Sequence, residues 1–148
     1  MTGACIIVLV ITALYICYRD VQSREISNRA VLCTAAASLL TTSGFALSWS
    51  CWPLACLAGC FLFAVKAFSG GDIKLILAFL LGVHTSWWSM VVFAVAMGGG
   101  VLALVYIALR ALQSDSGKLK TDGIPYGVPI ALAGLFGVCL SAVDLGYI

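Results

Sequence analysis

The sequence has little charge and few side chains that bind metals. Only 9% of its 148 residues are charged, whereas a soluble domain carries about 25%. The hydrophobic fraction is 63%, so lipid is the expected solvent for most of the chain. A net charge of +2 is too small to indicate a nucleic-acid partner. The length predicts one integral-membrane domain over residues 1–148.

The cysteines and the single histidine are too scattered to predict a metal site. Seven cysteines are present, none of them in a C-x-x-C pair, and His84 is the one histidine. Zinc sites need clustered Cys or His ligands, so we expect neither a metal nor another cofactor. The cysteines are interpreted as small packing residues within apolar segments.

Long apolar runs predict an all-α, polytopic membrane protein. A bilayer core about 30 Å thick needs roughly 20 helical residues, and the chain divides into about six candidate transmembrane helices. The predicted spans are approximately Ala4–Tyr18, Ala30–Leu47, Pro53–Val65, Ile73–Trp87, Met90–Leu109 and Tyr126–Val143.

The basic residues predict the orientation of these spans. All eight fall in or beside connections that a six-span arrangement places on one side, at Arg19, Arg24, Arg29, Lys66, Lys74, Arg110, Lys118 and Lys120. The positive-inside rule makes that side cytoplasmic, so both termini are predicted on the non-cytoplasmic side. The opposite connections hold the four tryptophans, as interfacial aromatic residues would.

Two of the six carboxylates lie at span ends on the predicted cytoplasmic face. Asp20 directly follows the first span, and Asp72 directly precedes the fourth. If these spans pack together, the two side chains meet. A pair of carboxylates can activate water for attack on an amide, because one accepts a proton while the other donates to the carbonyl oxygen. The alternative is two ordinary loop aspartates that balance Arg19 and Lys74.

The residues next to the two aspartates carry further local signals. Gly70 and Gly71 permit unwound backbone just before the fourth span, and Asp72 is predicted to be its N-cap. A flexible turn with a capping aspartate explains the same pattern. Glu25 is the main rival to Asp20, but its neighbouring arginines favour a solvated loop charge.

Three segments, in the same order along the chain, resemble the prepilin peptidases, intramembrane aspartic proteases with a G-x-G-D signature. Asp20 with the downstream segment Ile26-Ser27-Asn28 resembles the family's first aspartate and its Ile-x-Asn element. Residues 69–75, Ser-Gly-Gly-Asp-Ile-Lys-Leu, resemble its G-x-G-D-x-K-L segment. Residues 124–131, which begin Ile-Pro-Tyr-Gly, resemble its Pro-Tyr-Gly motif at the last span.

The resemblance implies endoproteolysis of prepilin or pseudopilin precursors, which carry a short basic leader before a hydrophobic helix. It implies cleavage after a glycine at the cytoplasmic membrane edge of a bacterium, without a metal, by Asp20 and Asp72. The residues it suggests as binding substrate or shaping the site are Asn28, Gly70, Gly71, Lys74, Pro125, Tyr126 and Gly127.

Some of these positions have a structural interpretation as well. Ser27 or Asn28 is predicted to cap the second span. Lys74 is interpreted as a snorkelling lysine that orients its helix, and Tyr126 as an interfacial anchor or part of the cleft. The glycines at 98–100 indicate either close helix packing or a hinge that admits substrate.

The chain also departs from the family pattern. Ser69 stands where the first glycine of G-x-G-D is found, which reduces backbone freedom there. The chain is similar to the short peptidases of tight-adherence pilus systems, so we expect no N-methyltransferase activity. Two alternatives are a non-catalytic subunit of a pilus or secretion system and an ion-coupled carrier. Coupling carboxylates in carriers usually lie near the membrane midplane, which disfavours the carrier.

Overall fold

The protein is helical throughout the residues that the computed structural model describes, which are 2–42, 51–112 and 125–146. Within them there are six helices and no strand: α1 (Thr2–Ser23), α2 (Asn28–Thr41), α3 (Trp52–Ala64), α4 (Gly70–Leu80), α5 (Thr85–Leu112) and α6 (Gly127–Asp144). The predicted all-α class is confirmed for this part of the chain. The predicted end of the second span at Leu47, and the basic loop with Lys118 and Lys120, lie outside the described residues.

Three of the described helices are long and apolar enough to cross a membrane: Gly3–Ser23, Thr85–Leu109 and Gly127–Asp144. The helices α2, α3 and α4 have 14, 13 and 11 residues. At about 1.5 Å of rise per residue, these three are shorter than a hydrocarbon core about 30 Å thick. The length and apolar character of these helices identify a membrane protein. Six complete spans, and termini on the non-cytoplasmic side, stay predictions.

The first helix is longer than the apolar pattern predicts. The predicted first span ends at Tyr18, whereas α1 continues through Ser23, so Asp20 lies inside the helix and not after it. Hydropathy marks where lipid contact ends, and no glycine or proline breaks the hydrogen-bond ladder at that point. The helix ends where Arg24 adopts a left-handed backbone conformation with φ of 55°.

The fourth helix is shorter than predicted. The predicted fourth span continues to Trp87, whereas α4 ends at Leu80 and a tight turn leads into α5. Gly82 lies in this turn, where an added Cβ would come within 2.5 Å of the Ser38 carbonyl oxygen. The chain turns there because only glycine lets the backbone approach α2 so closely.

Helices α1, α2, α4 and α6 form a packed body, and α5 packs against α6. Both α1 and α4 lie against α2 and α6. The largest fully buried apolar side chains of this body are Leu9, Ile16, Leu75, Phe79 and Ile130. Small residues bring the helices together, because Phe79 lies directly over Gly134 and Val91 over Gly137.

The α3 helix is held much more loosely. Among the described helices, its one extensive interface is with α4. The contact centres on Gly59, where an added Cβ would lie 2.9 Å from Ile73 Cγ2. Large apolar side chains on the rest of α3, such as Leu57 and Phe61, are exposed, as lipid-facing residues are.

Candidate active site

A cleft of about 540 Å³ opens where α1 ends and where α2, α4 and α6 begin. Five of the residues predicted for the site line it, namely Asp20, Asn28, Gly71, Asp72 and Tyr126. Both aspartates are buried, with exposed fractions of 5% for Asp20 and 7% for Asp72. Buried carboxylates need hydrogen-bond partners, and each has one at the start of a helix.

Asp20 projects from the last turn of α1 toward the start of α6. Its Oδ2 accepts a hydrogen bond of 2.7 Å from the backbone N–H of Gly127. Gly127 is the first residue of α6, so the carboxylate lies at the positive end of that helix dipole. An added Cβ at Gly127 would lie 2.8 Å from the same oxygen. Glycine is therefore needed for this close approach.

Asp72 lies in the first turn of α4 but is not its N-cap, so that prediction is wrong. Ser69 is the N-cap, and its Oγ accepts a hydrogen bond of 3.3 Å from the Asp72 N–H. In return, Asp72 Oδ2 accepts a bond of 3.0 Å from the Ser69 N–H. This capping box satisfies two donors that a helix start leaves free. Ser69 thus has a structural role at the position where the family has glycine.

The glycines before Asp72 are helical, which contradicts the predicted unwound backbone. Gly70 and Gly71 form the first two residues of α4, and neither has a positive φ. An added Cβ at Gly71 would lie 3.5 Å from the side chain of Ile26, and one at Gly70 would lie 3.6 Å from Phe63. The reciprocal capping bonds of Ser69 favour a regular first turn here, because they hold the chain in helical geometry.

The two aspartates reach one cleft although their helices hardly touch. Among the described helices, α1 and α4 share no extensive interface, and both pack on α2 and α6. Direct packing of the first and fourth spans is therefore not what brings Asp20 and Asp72 together. Both side chains line the same cleft, and so does Arg24. Common neighbours place the two carboxylates at one site.

Asn28 and Lys74 join the starts of two helices. Lys74 Nζ donates a hydrogen bond of 3.4 Å to Asn28 Oδ1. Asn28 lines the cleft, whereas Lys74 lies on the neighbouring face of α4. The contact with Asn28 supports an orienting role for Lys74.

Two residues, Ser27 and Asn28, were predicted as the cap of α2. Ser27 is the cap, because its Oγ accepts a hydrogen bond of 3.2 Å from the Ala30 N–H.

Tyr126 forms one wall of the cleft, and Pro125 before it is buried. The Tyr126 ring meets Phe68 edge to face, with centroids 5.4 Å apart. An added Cβ at Gly99 would lie 2.6 Å from Tyr126 Cε1. Because α5 runs unbroken past this point, the glycines at 98 and 99 support close packing and not a hinge. Ile124, which precedes the motif, lies outside the described residues.

Six residues of the cleft were missed as site residues: Arg19, Arg24, Glu25, Ile26, Ser27 and Ser69. Their closeness in sequence to Asp20 or Asp72 is the signal that was available for finding them. Glu25 is exposed, as expected of a solvated charge. Arg24 donates a hydrogen bond of 2.7 Å to Tyr106 Oη and lies 5.4 Å from the centre of that ring. It therefore ties the edge of the cleft to α5.

The helices form an apolar body, and the cleft at its end is lined by two buried carboxylates. The sequence profile of the type IV leader peptidase family matches residues 7–106, which include Asp20 and Asp72. The chain belongs to this family, and the predicted relationship to the prepilin peptidases is confirmed. No match was found among curated proteins or among solved structures.

Family membership makes the protein a membrane protease of the leader-peptidase kind. The matched segment ends before the third motif at residues 125–127. The hydrogen bond from Gly127 to Asp20 joins that motif to the site across a separation of 107 residues.

Proposed function

We propose that the protein is an aspartic endopeptidase that removes the basic leader from prepilin-like precursors, with Asp20 and Asp72 as its catalytic pair. The observation that carries this proposal is the burial of both carboxylates in one cleft, each oriented by a backbone N–H at a helix start. The proposed location is the cytoplasmic membrane of a bacterium, with the chain crossing it several times.

The proposed chemistry uses the pair as one unit. In this mechanism the two carboxylates hold one proton between them, as coupled carboxylate pairs do. The ionised partner takes a proton from water while the other donates to the carbonyl oxygen, and the water oxygen bonds to the carbonyl carbon. The carboxyl that took the proton from water then gives it to the amide nitrogen as the C–N bond breaks, and the other carboxylate takes a proton from a hydroxyl of the intermediate. The products are a leader with a new carboxyl group and a mature protein with a new amino group.

The cleft is polar and has charged residues of both signs in its lining. Asp20, Glu25 and Asp72 lie there together with Arg19 and Arg24, and Glu25 is exposed. Both aspartates lie at helix ends and not at helix centres. This position suits a scissile bond at the membrane surface better than an ion-coupling site, which usually lies near the midplane.

The test is co-expression with a candidate precursor, followed by mass measurement of the mature N-terminus. Asp20→Asn and Asp72→Asn each keep a hydrogen-bond acceptor but remove the acid, so cleavage should fall by about 10²–10⁴-fold. Asp144→Asn, a matched change at the exposed far end of α6, should cleave normally.

Wild-type rates from either Asn variant at normal protein levels would overturn the assignment of the pair. An inactive wild-type protein, tested against several precursors, would favour a non-catalytic subunit of a pilus or secretion system.

A further inference from the structure

A second cavity, of about 650 Å³, adjoins the cleft. It shares Ser69, Asp72 and Tyr126 with the cleft, so Asp72 lies on the border between the two spaces. Its other walls come from the end of α3 and the connection to α4. They are apolar, including Phe63 and Phe68, apart from Lys66. The polar cleft and an apolar space therefore meet at one of the two buried carboxylates.

A third cavity, of about 330 Å³, lies further along the same two helices, between α3, α4 and α5. Leu62 and Ile73 line it, and they are the chain neighbours of Phe63 and Asp72 in the second cavity. Other lining residues are Leu54 and Ala58 on α3, Leu77 on α4 and Val92 on α5. We refer to the second and third cavities together as the lateral groove.

An aromatic contact joins α3 and α5 near the lateral groove, which is accessible from the side. Trp52 at the start of α3 and Trp88 near the start of α5 meet edge to face, with ring centroids 6.1 Å apart. Beyond this pair, α3 and α5 share no extensive interface in the described part of the chain. Leu54 and Phe63 of the groove are 69% and 60% exposed, so an apolar occupant can reach it from the bilayer.

We propose that the lateral groove binds the hydrophobic helix of the precursor, with the scissile junction at Asp72 and the leader in the polar cleft. This inference rests on the proposed function. The precursor changes from basic to apolar along its chain, and the two spaces change in the same order across Asp72. The groove follows α4, whose 11 residues span about 16 Å. It therefore accommodates the first three turns of a substrate helix.

A cavity beside α2 provides a comparison for the lateral groove. Another apolar cavity, of about 500 Å³, lies between α2 and α4 and is lined by Leu32 and Leu77 among others. Neither Asp20 nor Asp72 borders it, whereas Asp72 borders the second cavity of the lateral groove. Leu32 is 68% exposed on α2 and Ala58 is exposed on α3, so the two positions form a matched pair.

The direct test is photo-crosslinking in the full chain carrying Asp72→Asn, so that bound precursor is not cleaved. A benzophenone side chain replaces either Ala58 or Leu32, and each protein is co-expressed with a precursor that the wild-type protein cleaves. We expect the crosslink from position 58 to map to the apolar helix of the precursor, with at least tenfold higher yield than from position 32. Equal yields, or adducts with lipid alone at position 58, would overturn the inference.

A kinetic test uses the active protein in vesicles. Ala58→Trp fills the groove, so we expect the KM for the precursor to rise at least fivefold while kcat changes little. Leu32→Trp should leave both constants as they are. If the wild-type protein cleaves and Ala58→Trp matches it in both constants, the groove assignment is wrong while the peptidase proposal stands. If the wild-type protein cleaves no precursor, the proposed function itself fails.

Discussion

The interface between α4 and α6 and the surroundings of α3 are packed in opposite ways. Phe79 of α4 fills the space over Gly134, and both lie in the buried core. By contrast, α3 meets α4 around Gly59 and exposes most of its large apolar side chains. The tightly packed body holds the helix starts that orient the two carboxylates, whereas the loosely packed side borders the apolar groove. Tight packing is thus found where α4 meets α6, whereas the open apolar surface belongs to α3.

The largest effect on folding should come from adding side-chain volume inside the packed body. Gly134→Leu places a side chain where the Phe79 ring lies, and overpacking of this kind costs about 1–3 kcal/mol or more. We expect much less folded protein in membranes for this variant. A lower temperature of aggregation in detergent would measure the loss of stability. Gly100→Leu is the matched control on α5, because an added Cβ there meets nothing within 4 Å. Equal stability of the two variants would contradict the contrast between the regions.

A more selective effect is expected at the contact between α6 and Asp20. Gly127→Ala places a methyl group against Asp20 Oδ2 and weakens the 2.7 Å hydrogen bond. Hydrogen bonds to charged groups contribute about 1.5–3 kcal/mol, so cleavage should fall by roughly 10–150-fold. The thermal midpoint should change less than in Gly134→Leu. Activity measured per folded molecule checks this, and an unchanged rate would show that the bond does not orient the carboxylate.

The smallest effect is expected at Ser69, which lies in the connection between α3 and α4. Ser69→Ala removes the cap of α4 and should cost about 0.5–2 kcal/mol, whereas Ser69→Gly should cost only a few tenths. Ser69→Gly also restores the glycine of the family signature. We therefore expect near-normal cleavage from the glycine variant and a measurable loss from the alanine variant, compared in the same precursor assay. The reverse order would contradict a capping role.

The sequence predicted the helices and the two aspartates because those features are local. Apolar runs locate α1 to α6, and the short motifs around Asp20 and Asp72 indicate the family. The end of α1 was misplaced because hydropathy reports lipid contact and not helix termination. The bond from Gly127 to Asp20 and the shared packing of α1 and α4 depend on tertiary neighbours, which no local pattern encodes. The sequence motif marks Ser69 only as a departure from the family's glycine, whereas its capping role depends on the hydrogen bonds seen in the structure.

The capping box of α4 has a consequence for protein design. Both of its reciprocal hydrogen bonds lie within residues 69–72, so these four residues orient the Asp72 carboxylate by themselves. A design that transfers residues 69–72 to another helix start therefore transfers the donors and acceptors of both bonds. Asp20 cannot be transferred in this way, because its partner is 107 residues away in the chain. The orientation of Asp72 thus depends on a local motif, whereas that of Asp20 depends on the packing of α1 against α6.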